Sequence, residues 1–184
     1  MMHPKDFYRT YSADNNITSL NRILVDEIIK ENPVHVLEFG CGSGKNLKLL
    51  FESSETIVTI GVDISYINIM NAIYKNDQSM VMIADEGILR NLCNIDVVFC
   101  CSVLDHIQEI GEIIGEFKRI CNKAVIIAET QIDSPNTFYY RHVYEDYGFV
   151  DLGYDFVTDT ITGDGNIYRM WKYKSPKNVL ISHI

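Results

Sequence analysis

The residues with the clearest chemical potential form a loop of alternating glycines beside a carboxylate. Glu38 is followed at every second position by Gly40, Gly42 and Gly44, and an apolar run precedes them. Glycines allow a tight turn and let a ligand lie against bare backbone. The helix predicted directly after the loop adds unpaired N–H groups and the positive end of its dipole. This segment is therefore predicted to bind a ligand.

Two common phosphate-binding patterns do not fit the loop. The dinucleotide pattern GxGxxG needs a small residue at its last position, where this chain has Lys45. The P-loop pattern GxxxxGK[ST] needs a glycine in place of Phe39, and a Ser or Thr in place of Asn46. Glu38 would repel a pyrophosphate, but it would attract a ligand that carries an ammonium and a sulfonium.

Further acids follow the next two predicted strands. Asp63 lies about twenty positions past the glycines, the spacing at which an acid binds ribose hydroxyls in nucleotide-binding folds. Asp85 and Glu86 follow the third strand, where Asp85 is also suited to cap the next helix. Several such features in register are more specific than any one of them.

The segment from Glu38 to Gly44, read as Glu-Phe-Gly-Cys-Gly-Ser-Gly, resembles the first motif of class I S-adenosylmethionine-dependent methyltransferases. Residues 61–65, 84–86 and 96–106 resemble later motifs of that family, and the similarity covers roughly residues 34–130. The resemblance implies S-adenosyl-L-methionine as the cofactor, S-adenosyl-L-homocysteine as its product and a methyl group as the part transferred.

The same resemblance implies which residues contact the cofactor. They are Glu38, Gly40, Cys41, Gly42, Gly44, Asp63, Ile64, Asp85, Glu86, Cys101, Ser102 and Tyr11, with Tyr8 as an alternative to Tyr11. Within this set, Glu38 would hold the methionine portion, Asp63 the ribose diol and Asp85 the adenine amino group. Cys101 and Ser102 would line the floor near the sulfonium, and one of the two tyrosines would form a lid.

Two histidines are candidate general bases, which methyl transfer needs only when the acceptor must lose a proton. His106 is predicted at the carboxyl end of the sheet, where open α/β folds bind ligands, and it could instead cap the next helix. Asp105 before it stands where many relatives have Glu. His142 lies among tyrosines and could instead pair with Asp146 one helical turn away.

Sequence features also restrict the acceptor. The [Asp/Asn]-Pro-Pro-[Tyr/Phe] motif of amino-methylating nucleic-acid and glutamine enzymes would occupy residues 102–105, which read Ser-Val-Leu-Asp. A Pro-Cys nucleophile for cytosine methylation is absent from the sequence, and the net charge of -9 disfavours nucleic acid. A small molecule or a peptide is therefore the expected acceptor.

The composition is that of an ordinary globular domain, with 184 residues of which 47% are hydrophobic. Five cysteines include no CxxC pair, which predicts reduced thiols, a cytoplasmic location and no metal site. No apolar run reaches the length of a membrane span, and the first residues lack an apolar signal core. No membrane partner is expected, and the oligomeric state is left open.

Short runs rich in Val and Ile alternate with helical patterns along the first two thirds of the chain. Strands are predicted at residues 34–39, 56–62, 80–84, 95–101 and 124–128, and helices at 17–31, 45–52, 65–76 and 107–121. Most of the strand runs lack a polar face, which is typical of strands buried on both faces. The order predicts a doubly wound, mostly parallel seven-stranded α/β sheet with helices on both faces.

The last third of the chain has a different pattern. Residues 134–148 are predicted to form a helix rich in tyrosine, and residues 149–158 and 166–174 two strands of an antiparallel hairpin. We expect one domain over residues 1–184. It would comprise a lid and helix at 1–31, a cofactor-binding core at 34–130, and an acceptor-side helix with the terminal hairpin at 131–184.

Other functions remain open at this point. The chain could be a cofactor-binding but non-catalytic interaction subunit, since it has cofactor motifs and no specific acceptor motif. A nicotinamide oxidoreductase is disfavoured by Lys45. Aminopropyl transfer from a decarboxylated cofactor is a minor variant that Glu38 would also serve.

Overall fold

The computed structural model describes residues 7–10, 12–13, 16–75, 79–132, 139–157 and 167–177. Within these ranges the strands are β1 (His35–Phe39), β2 (Val58–Asp63), β3 (Met80–Ile83), β4 (Ile95–Cys101), β5 (Cys121–Thr130), β6 (Val150–Val157) and β7 (Ile167–Lys174). The α-helices that precede or connect the first five strands are α1 (Ser19–Ile29), α2 (Lys45–Ser53), α3 (Tyr66–Lys75) and α4 (Gly111–Ile120). Short 3-10 turns lie at Glu86–Asn91, Leu104–His106 and Tyr144–Tyr147.

The strands form one mixed sheet in the order β3-β2-β1-β4-β5-β7-β6. Strand β1 pairs in parallel with β2 and β4, and β7 pairs antiparallel with β5 and β6. The predicted fold class, a mostly parallel seven-stranded sheet with an antiparallel C-terminal pair, is therefore confirmed. From β1 the chain forms β2 and β3 on one side of the sheet, and it then crosses to form β4 on the other side of β1. The point at which the strand order reverses therefore lies between β1 and β4. Ligands of open α/β sheets bind in the crevice at such a point.

Alternate residues of the central strands pack on opposite faces of the sheet. In β4, Val98 and Phe99 are both fully buried but belong to two separate apolar clusters. Phe117 of α4 belongs to the first cluster, and Leu24 of α1 belongs to the second. Helices therefore cover both faces, which explains why these strands have no polar face. Within the described ranges, no helix combines the length and apolarity that crossing a membrane requires.

The helix predicted at residues 134–148 is wrong over its described part. Residues 139–143 form no helix, and a single 3-10 turn follows them. The N–H group of Tyr140 donates to the backbone carbonyl of Asp105 at 2.7 Å rather than to its own preceding turn. The side chain of Tyr144 is buried in the core. Contacts distant in sequence therefore outweigh the helical spacing of the tyrosines.

The helix predicted at residues 107–121 begins later, at Gly111. The carbonyl oxygen of Ile107, which would accept a helical hydrogen bond in the predicted helix, lies 3.0 Å from Nε2 of His142 instead. The other predicted helices and strands agree with the structure within a few residues. Residues 162–166, the predicted turn between β6 and β7, lie outside the described residues.

Candidate active site

A cavity of about 700 Å³ lies at the carboxyl ends of β1, β2, β3 and β4. Many of the residues predicted to contact the cofactor line it: Glu38, Gly40, Cys41, Gly42, Asp63, Ile64, Asp85, Glu86, Cys101 and Ser102. Gly44, the N-cap residue of α2, is not among the lining residues. Tyr8 and His106 also line the cavity, whereas Tyr11 lies outside the described residues.

The glycine loop is held against β2 and leaves no room for a side chain at its first glycine. The N–H groups of Gly40 and Cys41 donate to the carbonyl oxygen of Val62 at 2.8 and 2.9 Å. Gly40 has a φ of +74°, and a Cβ at this position would lie 2.2 Å from Cγ2 of Val103. Gly42 also has a left-handed φ, +53°. The loop therefore presents bare backbone to the cavity.

The carboxylate of Glu38, at the end of β1, is buried with one of its oxygens unsatisfied. Its Oε1 accepts a hydrogen bond from Nδ2 of Asn46 at 2.6 Å. Its Oε2 is buried and accepts no hydrogen bond from the part of the chain that the structure describes. Burial, reinforced by the nearby Asp63, raises the pKa of Glu38 to about 8. A cationic ligand group would satisfy this atom and favour its charged form.

A chain of buried polar side chains connects Glu38 to the start of α1. Oδ1 of Asn46 accepts from Nδ2 of Asn21 at 2.9 Å. Oδ1 of Asn21 accepts in turn from the backbone N–H of Thr18 at 2.9 Å. Sequence reasoning missed both asparagines. The available signal was an asparagine near the start of each of two predicted helices. Asparagine has a low helix propensity because its side chain forms hydrogen bonds with nearby groups.

The carboxylate of Asp63, at the end of β2, holds the glycine loop and the start of the next helix together. Its Oδ2 accepts from the N–H of Gly42 at 2.8 Å, and its Oδ1 accepts from the N–H of Ser65 at 2.7 Å. Nδ2 of Asn68 lies 3.4 Å from Oδ1. Burial raises the pKa of Asp63. A carboxylate has about four acceptor positions, so one remains on Oδ2 for a ligand hydroxyl.

The two sequence interpretations of Asp85 are compatible in the structure. Its Oδ1 accepts from the N–H of Gly87 at 3.0 Å and so caps the 3-10 turn Glu86–Asn91. The residue is exposed and also lines the cavity beyond β3. Capping uses one oxygen and leaves the other able to accept from a ligand.

The loop after β4 is organised by Glu129, a residue that the sequence analysis missed. Glu129 is fully buried near the end of β5, and its Oε1 accepts from the N–H groups of Val103 and Leu104, each at 3.1 Å. Burial, with the adjacent Asp105, raises the pKa of Glu129 well above its ordinary value. Ser102 begins this loop with a left-handed φ of 58°. No local pattern predicts this arrangement, because it joins two separate strands.

Asp105 and His106 follow that loop and both line the cavity. Oδ2 of Asp105 accepts from the hydroxyl of Thr130 at 2.6 Å, whereas its buried Oδ1 has no hydrogen-bond partner in the described ranges. The His106 ring lies next to the rings of Tyr8 and Tyr139, with centroids 4.6 and 4.7 Å apart. Across the described residues, no group of three or more His, Cys, Asp or Glu side chains is arranged to hold a metal ion.

The structure does not bring His142 to the cavity lining with the other candidates. Its Nε2 faces the carbonyl oxygens of Leu104 and Ile107, so that nitrogen carries the proton in either charge state. The alternative pairing with Asp146 depends on a helix that residues 139–143 do not form. His142 supports the loop that carries Asp105 and His106.

Comparison with known proteins identifies the family of the chain and structures of the same fold. Residues 8–177 match the methyltransferase domain family. No curated protein sequence matches the chain significantly.

Three solved structures illustrate the likeness of fold. Magnesium protoporphyrin IX methyltransferase (ChlM) from Synechocystis PCC 6803, with bound SAM, has a TM-score of 0.69 and 16% identity, covering 95% of this chain and 98% of that one. A putative sarcosine dimethylglycine methyltransferase from Galdieria sulphuraria has a TM-score of 0.68 and 11% identity, covering 86% of each chain. The [4+2]-cyclase SpnF has a TM-score of 0.70 and 14% identity, covering 92% of this chain and 86% of that one. At such identities the likeness establishes the fold alone.

Proposed function

Because the chain belongs to the methyltransferase domain family, we propose that it transfers the methyl group of S-adenosylmethionine to a small-molecule or peptide acceptor. The observation that carries this proposal is Oε2 of Glu38, a buried acceptor without a partner in the described residues, in the wall of the cavity. Leaving such an atom unsatisfied is costly, and a ligand ammonium would remove that cost. The cavity has a volume in the range of cofactor sites.

The residues around the cavity fit this cofactor in three places. Glu38 would bind the ammonium of the methionine portion, next to the bare backbone of Gly40 and Gly42. Asp63 would accept from the ribose diol through its remaining acceptor position on Oδ2. Asp85 lies farther along the same edge of the sheet, beyond β3, where it would accept from the adenine amino group.

When bound, S-adenosylmethionine supplies an activated methyl group on a sulfonium that leaves as a neutral thioether. The protein therefore has to align the acceptor with that methyl group and exclude water. Ser102 is held for this task, since its hydroxyl bonds to the hydroxyl of Tyr168 at 2.9 Å. Cys101 lies beside it at the end of β4, and burial raises the pKa of its thiol to about 12. That thiol stays protonated and does not compete as a nucleophile.

The acceptor would enter on the side of the cavity lined by Tyr8, His106 and Tyr139. The two tyrosines flank the imidazole of His106. Of the two candidate bases, His106 is therefore the one positioned to take a proton from an acceptor that must lose one.

A binding assay and a turnover assay together test this proposal. We expect S-adenosylhomocysteine to raise the melting temperature of the protein, and NAD to leave it unchanged. We also expect slow turnover of S-adenosylmethionine in the presence of at least one acceptor from a panel of small amines, alcohols, thiols and peptides. Stabilisation by NAD without stabilisation by S-adenosylhomocysteine would remove the proposal.

The alternative of a cofactor-binding but non-catalytic subunit is compatible with the fold. A [4+2]-cyclase has the same fold, so the fold by itself does not fix the reaction. Tight S-adenosylhomocysteine binding with no methyl transfer to any acceptor of the panel would favour this alternative.

The oxidoreductase alternative gains nothing from the structure. Tyr168 and Lys172 on β7 have the Tyr-x-x-x-Lys spacing used by some nicotinamide enzymes. Lys172, however, donates to Glu27 at 2.6 Å and to Glu31 at 3.1 Å, in an ion-pair cluster with α1. Of this pair, Tyr168 lines the cavity and Lys172 does not.

A further inference from the structure

We infer that the acceptor in the proposed methyl transfer is an amine, and that Asp105 binds its nitrogen. The inference rests on the proposed function and adds the chemical class of the acceptor. It starts from a second buried acceptor atom in the same cavity. Oδ1 of Asp105 is buried and accepts no hydrogen bond within the described ranges, and the imidazole Nε2 of His106 lies 3.5 Å from it.

The position of Asp105 in the sheet separates it from the cofactor-binding acids. Asp85 follows β3 at one end of the cavity, whereas Asp105 follows β4 and bonds to Thr130 at the end of β5. Strands β3 and β5 are four strand spacings apart, about 19 Å. A cofactor whose adenine lies near Asp85 and whose ammonium meets Glu38 therefore leaves Asp105 for the acceptor.

The charge of the cavity selects against anionic acceptors. Its lining includes five carboxylate side chains: Glu38, Asp63, Asp85, Glu86 and Asp105. Lys45 is the single lysine among the described lining residues, and arginine does not occur there. A carboxylate or phosphate group on the acceptor would meet this negative potential with Lys45 as the only lysine or arginine of the described lining to offset it.

Asp105 is also held in place through both its side chain and its backbone. Its Oδ2 is fixed by the hydroxyl of Thr130, and its backbone carbonyl accepts from the N–H of Tyr140 at 2.7 Å. Of the two buried acids at this point, Glu129 has the pKa that burial and its neighbour raise well above the ordinary value. Glu129 is therefore held in its protonated form.

Methylation of an amine suits these surroundings throughout the reaction. The bound ammonium first gives a proton to His106, which lines the same cavity. The lone pair of the neutral nitrogen then forms the new N–C bond, and the C–S bond breaks with its electron pair on sulfur. The positive charge therefore moves from sulfur to nitrogen, directly opposite Asp105, and the extra proton leaves later to solvent. A fixed carboxylate stabilises the charge that develops on nitrogen, and the rings of Tyr8 and Tyr139 add faces that attract a cation.

Three probes of similar size test the inference by direct binding to the protein saturated with S-adenosylhomocysteine. They are benzylamine, benzyl alcohol and benzoate, with dissociation constants measured by NMR line broadening. In the wild-type protein we expect benzylamine to bind at least about tenfold more tightly than benzoate. This comparison needs no variant, so it holds whether or not substitutions at Asp105 disturb folding.

The variant Asp105→Asn removes the charge with little change of shape. We expect it to weaken benzylamine about tenfold or more, and to leave benzyl alcohol and S-adenosylhomocysteine within about twofold. The control Glu55→Gln removes one charge from an exposed turn at the opposite edge of the sheet and should change none of the three. Equal binding of benzoate, no binding of benzylamine, or an unchanged benzylamine affinity in Asp105→Asn would overturn the inference. Failure of S-adenosylhomocysteine to bind the wild-type protein would instead refute the proposed function.

Discussion

The side-chain amide of Asn46 donates to Oε1 of Glu38 across 2.6 Å, deep in the wall of the cavity. This bond fixes the carboxylate at the end of β1 and directs its other oxygen, Oε2, away from any protein donor in the described residues. One oxygen of this buried acid is thereby satisfied by the protein, and under the proposed function the other would bind the ammonium of the cofactor.

Cofactor binding should release a proton from Glu38. With a pKa of about 8, its carboxyl group is mostly protonated near neutral pH, and a bound ammonium favours the charged form. Affinity for S-adenosylhomocysteine should therefore rise with pH up to about pH 8, by at most about tenfold per unit. Calorimetry in buffers of different ionisation enthalpy measures the proton released.

The variant Glu38→Gln is the control for that experiment. It keeps the shape of the side chain but cannot titrate, while the amino group of the ligand titrates equally with both proteins. Any difference in proton release between the two proteins is therefore due to residue 38. Identical proton release and identical pH dependence would contradict the placement of the ligand ammonium at Glu38.

Asp63→Ala should weaken cofactor binding by about tenfold or more, because a buried diol loses its acceptor. The same substitution removes the bonds to Gly42 and Ser65 that organise the loop. Adenosine and 2′,3′-dideoxyadenosine separate the two effects. The diol should add affinity in the wild-type protein and none in Asp63→Ala. A loss of equal size for both nucleosides would mean that Asp63 acts only through the loop.

Gly40→Ala should destabilise the protein by about 2 kcal/mol or more, since a side chain is strained at its positive φ and would clash with Val103. Gly115→Ala is the matched control, because its Cβ would meet nothing within 4 Å on α4. That control should stabilise by about 0.5–1 kcal/mol, as alanine is a better helix former. Urea denaturation gives both values, and equal effects of the two substitutions would show that the loop accommodates a side chain.

The ion-pair cluster around Glu27 should make stability fall in acid. Burial alone would raise the pKa of Glu27, but hydrogen bonds from Lys172, Lys30 and Tyr154 lower it to about 2 from 4.5. The stability that this lowered pKa supplies is present above about pH 4.5 and is lost as the pH falls toward 2. Glu27→Gln should reduce the loss of unfolding free energy over that range by about 1–2 kcal/mol. Thermal melts from pH 6 to 2.5 measure it, with the exposed Glu55→Gln expected to behave as the wild type.

Local sequence signals predicted the glycine loop, the alternation of strands and helices along the chain, the family and its cofactor, S-adenosylmethionine. These signals are local because a left-handed turn needs glycine where it occurs, and a strand buried on both faces is apolar along its own length. The carboxylates at the ends of β1, β2 and β3 followed from the same pattern. Each needs only its own strand and the parallel arrangement to reach the cavity.

The sequence alone could not determine the structure of the loop after β4. There Glu129 holds residues of the loop after β4 that lie about 25 positions earlier, and Tyr140 bonds to the backbone of Asp105 instead of continuing a helix. Such contacts have no periodicity or spacing in the sequence, since they arise only when β4 and β5 pair. Local motifs thus predicted the glycine loop and the acids that follow β2 and β3, whereas the tertiary structure alone decided that Asp105 is buried beside Glu129 in the loop after β4.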